Sequence, residues 1–446
     1  MRFIIICLGL LGIGQASWAQ DGTPTILTLE EAINTALQQN PAIKIQRIAT
    51  QVAENQVFKA NAGKTPIVNA LGSASYTNNF SQIDIRTFQP EPPEIRFEEA
   101  GVESFTANVG VQADYVLFDG GASNYRYQLL SGQSLIARAE QEVLINNTIL
   151  AVSQLYLEIL KLQNQEQLLL ENIAISKERL QKMQDRAKFG KANQLAVLTA
   201  ETNLRQDEAA LDNILLIRNN LTKDLNFLLG RPAEDSYQVE RSYSEPALPS
   251  IQELKSDLLD NSPEIQLGKR GIELSASQLA LSEAQQKPTV SSFAQAGYFY
   301  QQNDVQQLAS IQNLGLTIGL SARYNLFDGG LTRRRIETAQ LDNQLQNLRL
   351  TQIEEQLINE ALKEHQTMTL LKAQLERERM NLQTFEAAFQ KAQDRYYTGK
   401  ANSLDLRDAQ LARLQVRIRI DQLEIDLMQS GIRMDKLRGR LLQQGQ

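Results

Sequence analysis

The sequence Phe-Asp-Gly-Gly occurs twice in this chain, at 118–121 and at 327–330, and both occurrences belong to a long internal repeat. The offset between them is 209 (327 minus 118). The same offset relates two further pairs of positions, Gly190 with Gly399 and Gly230 with Gly439. Because three landmarks in one register rarely arise by chance, we expect one duplicated unit whose halves bury their apolar faces against each other.

Upstream of the first motif the offset is larger. Pro41 pairs with Pro263 and Pro66 with Pro288, and both pairs are offset by 222 (263 minus 41 and 288 minus 66). The first copy therefore carries 13 additional residues (222 minus 209) between Pro66 and Phe118. Since insertions concentrate in exposed loops, the repeat predicts a surface loop there.

The N-terminus reads as an export signal. A basic residue, an apolar run at 3–13 and the small residues Ser17 and Ala19 predict a signal peptide over 1–19. The run is shorter than the roughly 20 residues that a membrane-spanning helix needs. Cys7, the only cysteine, lies inside this segment, so we expect no thiol in the exported chain.

Composition limits the partners and the domain plan. The formal net charge is −7 and there is no basic block, which argues against nucleic acid as a partner. A linker at 231–250, with Pro246 and Pro249, joins the first repeat, 20–230, to the second, 251–446. No stretch after the signal peptide reads as a transmembrane helix, so insertion into a membrane requires a β-barrel.

Two β-hairpins are predicted, at about 66–118 and 288–327, and the second strand of each alternates between apolar and polar residues. This period of two is typical of a sheet with one apolar face. The apolar positions are Phe105, Ala107, Val109, Val111, Ala113, Tyr115 and Leu117, and then Leu314, Leu316, Ile318, Leu320, Ala322, Tyr324 and Leu326. With the signal peptide and a tyrosine near one end of each face, the pattern favours strands in lipid over a sheet on a soluble core.

Long helices are predicted after both motifs. Neither Gly nor Pro occurs in 133–189 or 331–398, which permits helices of roughly 85–100 Å. Apolar residues at alternating spacings of three and four predict packing of the coiled-coil type. In the first copy these are Val152, Leu155, Ile159, Leu162, Leu169, Ile173 and Leu180, and the polar residues Glu166 and Ser176 interrupt the series.

Each long helix is predicted to end at a Gly-Lys-Ala-Asn turn. Gly190 and Gly399 supply the left-handed residue that ends a helix, and Asn193 and Asn402 cap the next one. The returning helices are predicted at 194–229 and 403–442. They run antiparallel to the long helices, so the turns at Gly190 and Gly399 lie at the end of the helices that is far from the β-hairpins. We call these two turns the tips.

The residue inventory favours a protein that is not an enzyme. The Gly-Lys pairs lack the Ser or Thr of a phosphate-binding loop, because Ala192 and Ala401 stand there. His365, the only histidine, lies on a long polar helix, where a solvated or interhelical role is the simpler reading. We therefore expect no catalytic residue, no cofactor and no metal ion.

Asp405 and Asp408 lie three residues apart just beyond Gly399, hence on one face of a first helical turn. One reading is stabilisation of the positive end of the helix dipole. The other applies if the tips of several protomers converge on an axis, where the same residues form carboxylate rings that attract cations and constrict a pore. The sequence leaves both readings open.

Four strands per chain cannot close a barrel, and open sheet edges are not viable in lipid, so several chains must share one. Two chains give eight strands, and such a barrel is largely filled by its own side chains. Three chains give twelve strands, which leave an open lumen. The small inward-facing residues Gly110, Gly315, Thr317 and Gly319 are compatible with such a lumen.

The chain resembles the TolC-type outer-membrane efflux proteins over almost its whole length. The motifs that carry the resemblance are Asn40-Pro41 with Asn261-Ser262-Pro263, the two Tyr-x-Leu-Phe-Asp-Gly-Gly segments, and the glycine tips followed by Asp405 and Asp408. The resemblance implies a mainly helical fold with transmembrane β-strands: a homotrimeric twelve-stranded β-barrel in outer-membrane lipid, continued by a periplasmic α-helical barrel. It also implies docking to a periplasmic adaptor protein and an inner-membrane pump.

The resemblance also implies residue roles. Tyr396, Asp405 and Asp408 match the family's aperture tyrosine and acidic rings, whereas Ala401 and Ala196 replace its charged latch between protomers. The tip residues Gly190, Lys191, Gly399 and Lys400 are candidate adaptor contacts, or the lysines are simply solvated.

Two functions remain from the sequence. The first is a passive export duct of a tripartite system, serving drug efflux or type I protein secretion. The alternative is a secreted coiled-coil scaffold or adhesin stalk whose strands pack as a soluble sheet.

Overall fold

A computed structural model describes residues 26–85, 95–241, 243–304 and 309–441. The predicted signal peptide at 1–19 lies outside these ranges. In chain order the elements are β1 (Ile26–Leu27), α1 (Leu29–Gln39), α2 (Pro41–Gln56), β2 (Ile67–Ile85), β3 (Ile95–Phe118), α3 (Ala122–Lys188), α4 (Gln194–Leu229), β4 (Gln238–Val239), α5 (Ile251–Asn261), α6 (Pro263–Ala284), β5 (Thr289–Asn303), β6 (Ser310–Arg323), α7 (Leu331–Tyr397) and α8 (Ser403–Leu437). Two short helices, a hairpin, a long helix and a returning helix thus occur twice, which confirms the duplicated unit.

Local capping fixes where the first helices begin. The Thr28 hydroxyl accepts a hydrogen bond from the Glu31 amide, and the Glu31 carboxylate accepts one from the Thr28 amide, both at 3.1 Å. This capping box satisfies two amides that the first helical turn leaves free. At the next boundary the Asn40 side chain accepts from the amides of Ala42 and Ile43, so α2 begins at Pro41.

The hairpins form one antiparallel sheet of four strands in the order β2-β3-β5-β6. Ile67 lies opposite Asp114, and Thr289 lies opposite Arg323. The sheet register reproduces both sequence offsets, because the first members of these pairs differ by 222 (289 minus 67) and the second members by 209 (323 minus 114).

The 13 extra residues of the first copy lie at the far end of its hairpin, between the pair Asn79–Val102 and the chain reversal. Some of them extend the strands, because pairing resumes beyond an irregularity at Asn79/Ser81 and reaches Ile85–Ile95. The predicted surface loop is therefore partly a longer ribbon, since backbone groups that pair with each other need no other partner.

The two faces of the sheet differ in chemistry. A row across all four strands on one face reads Val68, Ala113, Ala294 and Ile318. The neighbouring row on the other face reads Asn69, Gln112, Gln295 and Thr317. This alternation is the pattern of a sheet with one lipid-facing and one water-facing side.

The second hairpin ends earlier than predicted. Strand β6 stops at Arg323, whereas its repeat equivalent β3 continues to Phe118. Strand β3 pairs with β2 along one edge and with β5 along the other, and at its end Phe118 lies opposite Val290 of β5. Strand β6 pairs with β5 along one edge only, and its other edge is open within the described part of the chain. Residues after Arg323 therefore have no second strand to pair with.

Phe-Asp-Gly-Gly is the turn from strand to helix in both copies. The Asp119 carboxylate accepts from the amides of Gly121 (3.1 Å) and Ser123 (2.7 Å), and Asp328 does the same for Gly330 and Thr332. Both glycines of each motif have positive φ, between 68° and 92°. Two successive left-handed residues favour glycine, and the aspartate then caps the helix, which explains why the motif has the same order in both copies.

Helices α3 and α7 contain 67 residues each, or about 100 Å. The apolar seam predicted on α3 is buried or half-buried throughout. An 18-residue window of α3 reaches a mean hydropathy of 1.4, so the expectation that no later stretch is apolar enough to cross a membrane was wrong by that measure. Half of that window is buried in the protein, where α3 packs as a central helix.

One of the two largest apolar cores lies midway along α3, where α1, α3, α4 and α8 meet around Val152, Tyr156 and Leu160. The Tyr156 hydroxyl donates to the Leu27 carbonyl at 2.9 Å, and burial raises its pKa to about 12. Asn40 joins this core to the end of α4 through a 2.8 Å bond from its amide to the Leu228 carbonyl. The Asn-Pro landmark and the Gly230 landmark of the sequence are therefore neighbours in space.

Candidate functional site at the helical tips

The long and returning helices meet in tight turns at both tips. The Gly190 amide donates to the Ala187 carbonyl and the Lys191 amide to the Arg186 carbonyl, at 3.0 and 2.8 Å. Gly399 and Lys400 repeat this pair of bonds. Both glycines have positive φ, 71° and 74°, as this type of helix end requires.

Asp405 and Asp408 are both exposed on α8, but only Asp405 lies in the first turn, because the helix begins at Ser403 and Asp408 falls in the second turn. The Asp405 carboxylate accepts from the amide of Asn402 at 3.2 Å, while the Asn402 side chain accepts from the Asp405 amide at 2.8 Å. Asp405 therefore does what the helix-stabilising reading predicted. Its exposure is equally compatible with a carboxylate ring, so that reading stays a prediction.

Tyr396 does not share the exposed surface of the two aspartates, because its side chain is fully buried. The Arg186 guanidinium lies over its ring, 4.8 Å from the centroid, and donates to the Tyr396 carbonyl at 3.1 Å. Burial raises the pKa of the Tyr396 hydroxyl, which has no hydrogen-bond partner among the described residues. In this conformation Tyr396 is a core residue of the tip.

Ala196 and Ala401 are both partly exposed near the tips. Ala196 packs against the small apolar cluster that contains Tyr396, Met183 and Leu406. The places where the family's charged latch is expected are therefore occupied by methyl groups, which form no ion pair.

The four predicted docking residues, Gly190, Lys191, Gly399 and Lys400, are all exposed at the two tips. Phe189 was not among the predicted docking residues, although its side chain is 78% exposed immediately before the first tip. Its equivalent in the second repeat is Thr398, so the two tips differ in chemistry. The sequence did contain a signal for an exposed contact residue, namely an apolar residue directly before the tip glycine Gly190.

A buried polar network that was not predicted lies behind the tips, where α3, α4 and α8 meet. Arg407 binds Asp207 through two bonds of 2.8 Å, and both side chains are 7% exposed. Ser176 donates to Asp207 at 2.6 Å, and Gln410 donates to the Asn172 side chain at 2.7 Å. Its only sequence signal was the polar interruption of the apolar seam at Ser176.

Within the described ranges, no group of three or more His, Cys, Asp or Glu side chains is arranged to hold a metal ion. His365 lies 3.1 Å from the Pro249 carbonyl through its Nε2 atom, a contact between α7 and the linker rather than between two helices.

A chain that joins two apolar-faced β-hairpins to two long helical hairpins has the architecture of an outer-membrane channel subunit. The chain belongs to the outer membrane efflux protein family, whose sequence profile matches residues 32–231 and 254–440. None of the curated proteins compared with the chain matches it significantly in sequence.

Solved structures of low sequence identity have the same fold. The outer-membrane channel OprN superposes with a TM-score of 0.76 at 20% identity, over 92% of this chain and 89% of OprN. VceC from Vibrio cholerae gives 0.73 at 18% identity, over 92% and 96%. The Campylobacter jejuni channel CmeC gives 0.75 at 16% identity, over 98% and 94%.

The family and the fold together define this protein as an export duct of the outer membrane, with its helical part in the periplasm. The resemblance inferred from the duplicated motifs is confirmed.

Proposed function

We propose that three copies of this chain form the duct. One observation carries this proposal: helices α4 and α8 are repeat equivalents, but fourteen residues of α8 are buried and only five of α4. Ile425 on α8 is 3% exposed, whereas Leu216, its equivalent on α4 in the first repeat, is 60% exposed. Within the chain, one face of α8 packs against α3. The equivalent face of α4 has no such partner among the described residues of its own chain. In the proposed trimer, α7 of a second copy covers that face.

The short helices repeat this imbalance. Helix α6 packs between α3 and α7 of its own chain. Its equivalent α2 packs on α3 and leaves Ile45, Ile48 and Val52 exposed on another face. These three residues lie on one face of α2. In the proposed trimer, this face packs against α7 of a second copy.

The sheet has two open edges, β2 and β6, which pair head to tail when copies are arranged in a ring. Three copies contribute twelve strands, enough for a lumen. The polar face with Asn69, Gln112 and Thr317 then lines the pore, and the apolar face contacts outer-membrane lipid.

We infer that the tips dock a periplasmic adaptor protein, which couples the duct to an inner-membrane pump. Support comes from the exposed Lys191 and Lys400 at the two turns and from Phe189 beside the first. The pump supplies the energy in this scheme, and the duct itself is passive and catalyses no reaction.

The duct is tested with the full-length protein purified from outer membranes. We expect a heat-sensitive trimer on gels, together with stable ion conductance in planar lipid bilayers. A product that stays soluble without detergent and gives no conductance contradicts the duct and favours the scaffold or adhesin stalk.

A further inference from the structure

The most unusual charge in the described part of the chain is Arg179 on α3. Its side chain is only 1% exposed, and none of its three guanidinium nitrogens has a hydrogen-bond partner among the described residues. An unpaired cation removed from water is among the costliest arrangements in a protein interior.

The nearest carboxylate does not resolve this imbalance. Asp207 interacts electrostatically with Arg179, but both of its oxygens already accept hydrogen bonds from Arg407. The buried group therefore holds two guanidinium ions and one carboxylate, which leaves one excess positive charge. The flanking Arg186 and Lys182 add positive charge, and the flanking Glu178 is already paired with Lys182 at 2.9 Å.

A second buried group that interacts with Arg179 also lacks a hydrogen-bond partner among the described residues. The Tyr396 hydroxyl, fully buried in the tip cluster, is a free donor that interacts electrostatically with Arg179. A water molecule could accept hydrogen bonds from both donors, but it would leave the excess charge uncompensated. A small anion satisfies the donors and the charge together.

We propose that Arg179 and Tyr396 bind a chloride ion between α3, α7 and α8, behind the first tip. The ion neutralises the buried guanidinium and tightens the contact of α3 with α7 and α8. This site is internal to one chain, so it does not depend on the trimer or on the adaptor.

The test measures thermal unfolding of the full-length protein in detergent, in chloride and in gluconate at equal ionic strength. We expect an unfolding temperature higher by roughly 1–3 °C in chloride, because a ligand that binds only the folded state stabilises it. Arg179→Met should abolish this difference, whereas Arg333→Met, which removes an arginine with an 84% exposed side chain, should retain it.

Arg179→Met is expected to fold, because replacing a buried charge with an apolar side chain of similar volume is often neutral or stabilising. If it does not fold, Tyr396→Phe should still reduce the chloride effect. Crystals of the wild type soaked in bromide should show an anomalous peak within hydrogen-bonding distance of Arg179. Equal stability of the wild type in both salts, the same chloride effect in Arg179→Met, or no bromide peak at Arg179 would each overturn the proposal.

Discussion

At the scale of single residues, Asp405 has a structural role in the structure and a transport role only as a prediction. Its carboxylate completes the capping box of α8 with Asn402, yet it remains exposed beside Asp408. A variant that tests transport must therefore remove the charge and keep the hydrogen-bonding shape. Asparagine meets this requirement and alanine does not.

We expect Asp405→Asn with Asp408→Asn to weaken block of the conductance by a trivalent cation such as La³⁺. In a trimer the change removes six carboxylates from the aperture, so the half-blocking concentration should rise about tenfold or more, which corresponds to ~1.4 kcal/mol. The measurement is single-channel conductance in planar bilayers.

Asp394→Asn is the control, since Asp394 is also an exposed acid near the same tip but precedes the turn. If the double variant and the control are blocked alike, the aspartates are helix-stabilising residues only.

Phe189 carries a second prediction at this scale. Because the ring is 78% exposed beside the first tip, Phe189→Ser should reduce crosslinking of the duct to its adaptor in cells, while leaving bilayer conductance unchanged. Thr398→Ser, at the equivalent exposed position beside the second tip, is the control. Unchanged crosslinking in Phe189→Ser would show that the ring is not an anchor.

Among the residues, sequence reasoning located those whose role is local. The tip glycines and the capping residues Asn193 and Asn402 are recognisable because their partners are close neighbours in the sequence. Arg179 was not recognisable, because its surroundings come from residues on other helices, far away in the sequence. The burial of Tyr396 was missed for the same reason.

At the scale of elements, the chain uses one helical hairpin in two environments. Hairpin α7–α8 is covered on one side by α3 of its own chain, and hairpin α3–α4 exposes the matching side. The repeat equivalence therefore predicts which exposed positions of α4 contact a second copy in the proposed trimer and which stay on the surface. Leu216 belongs to the first kind, and Gln206 to the second, because its equivalent Gln415 is exposed as well.

Leu216→Asp should prevent assembly, since it would bury an unpaired carboxylate wherever α4 meets a second copy. We expect monomers in place of heat-sensitive trimers on gels without prior heating. Gln206→Asp introduces the same charge on the same helix and should leave the trimer intact. Trimers of equal stability in both variants would place the interface elsewhere.

At the scale of the whole molecule, the duplication predicts how neighbouring chains pair. Inside the chain Val111 of β3 lies opposite Ala296 of β5. Adding 209 to the first number and subtracting 222 from the second gives Leu320 of β6 opposite Ala74 of β2 in a second copy. The register within one chain thus specifies the register between chains.

Ala74→Cys with Leu320→Cys should therefore form disulfides between chains, because opposite residues on neighbouring strands lie within bridging distance. A closed ring of three limits the largest covalent product on a non-reducing gel to three chains. Ser75→Cys with Leu320→Cys is the control, as residue 75 points to the opposite face of the sheet. Products larger than three chains, or equal bridging in the control, would contradict this ring.

The sequence by itself determined the duplication, both offsets, the ends of the long helices and the strand-to-helix motif. These depend on hydrogen bonds and periodicity over a few residues, which the order of amino acids displays directly. Only the tertiary structure decided that the insertion lengthens a β-ribbon, that Tyr396 is a core residue, and that Arg179, Asp207 and Arg407 share one buried group. The physical reason is that helices far apart in the sequence select each other by the fit of entire faces, which a pattern along one helix does not specify.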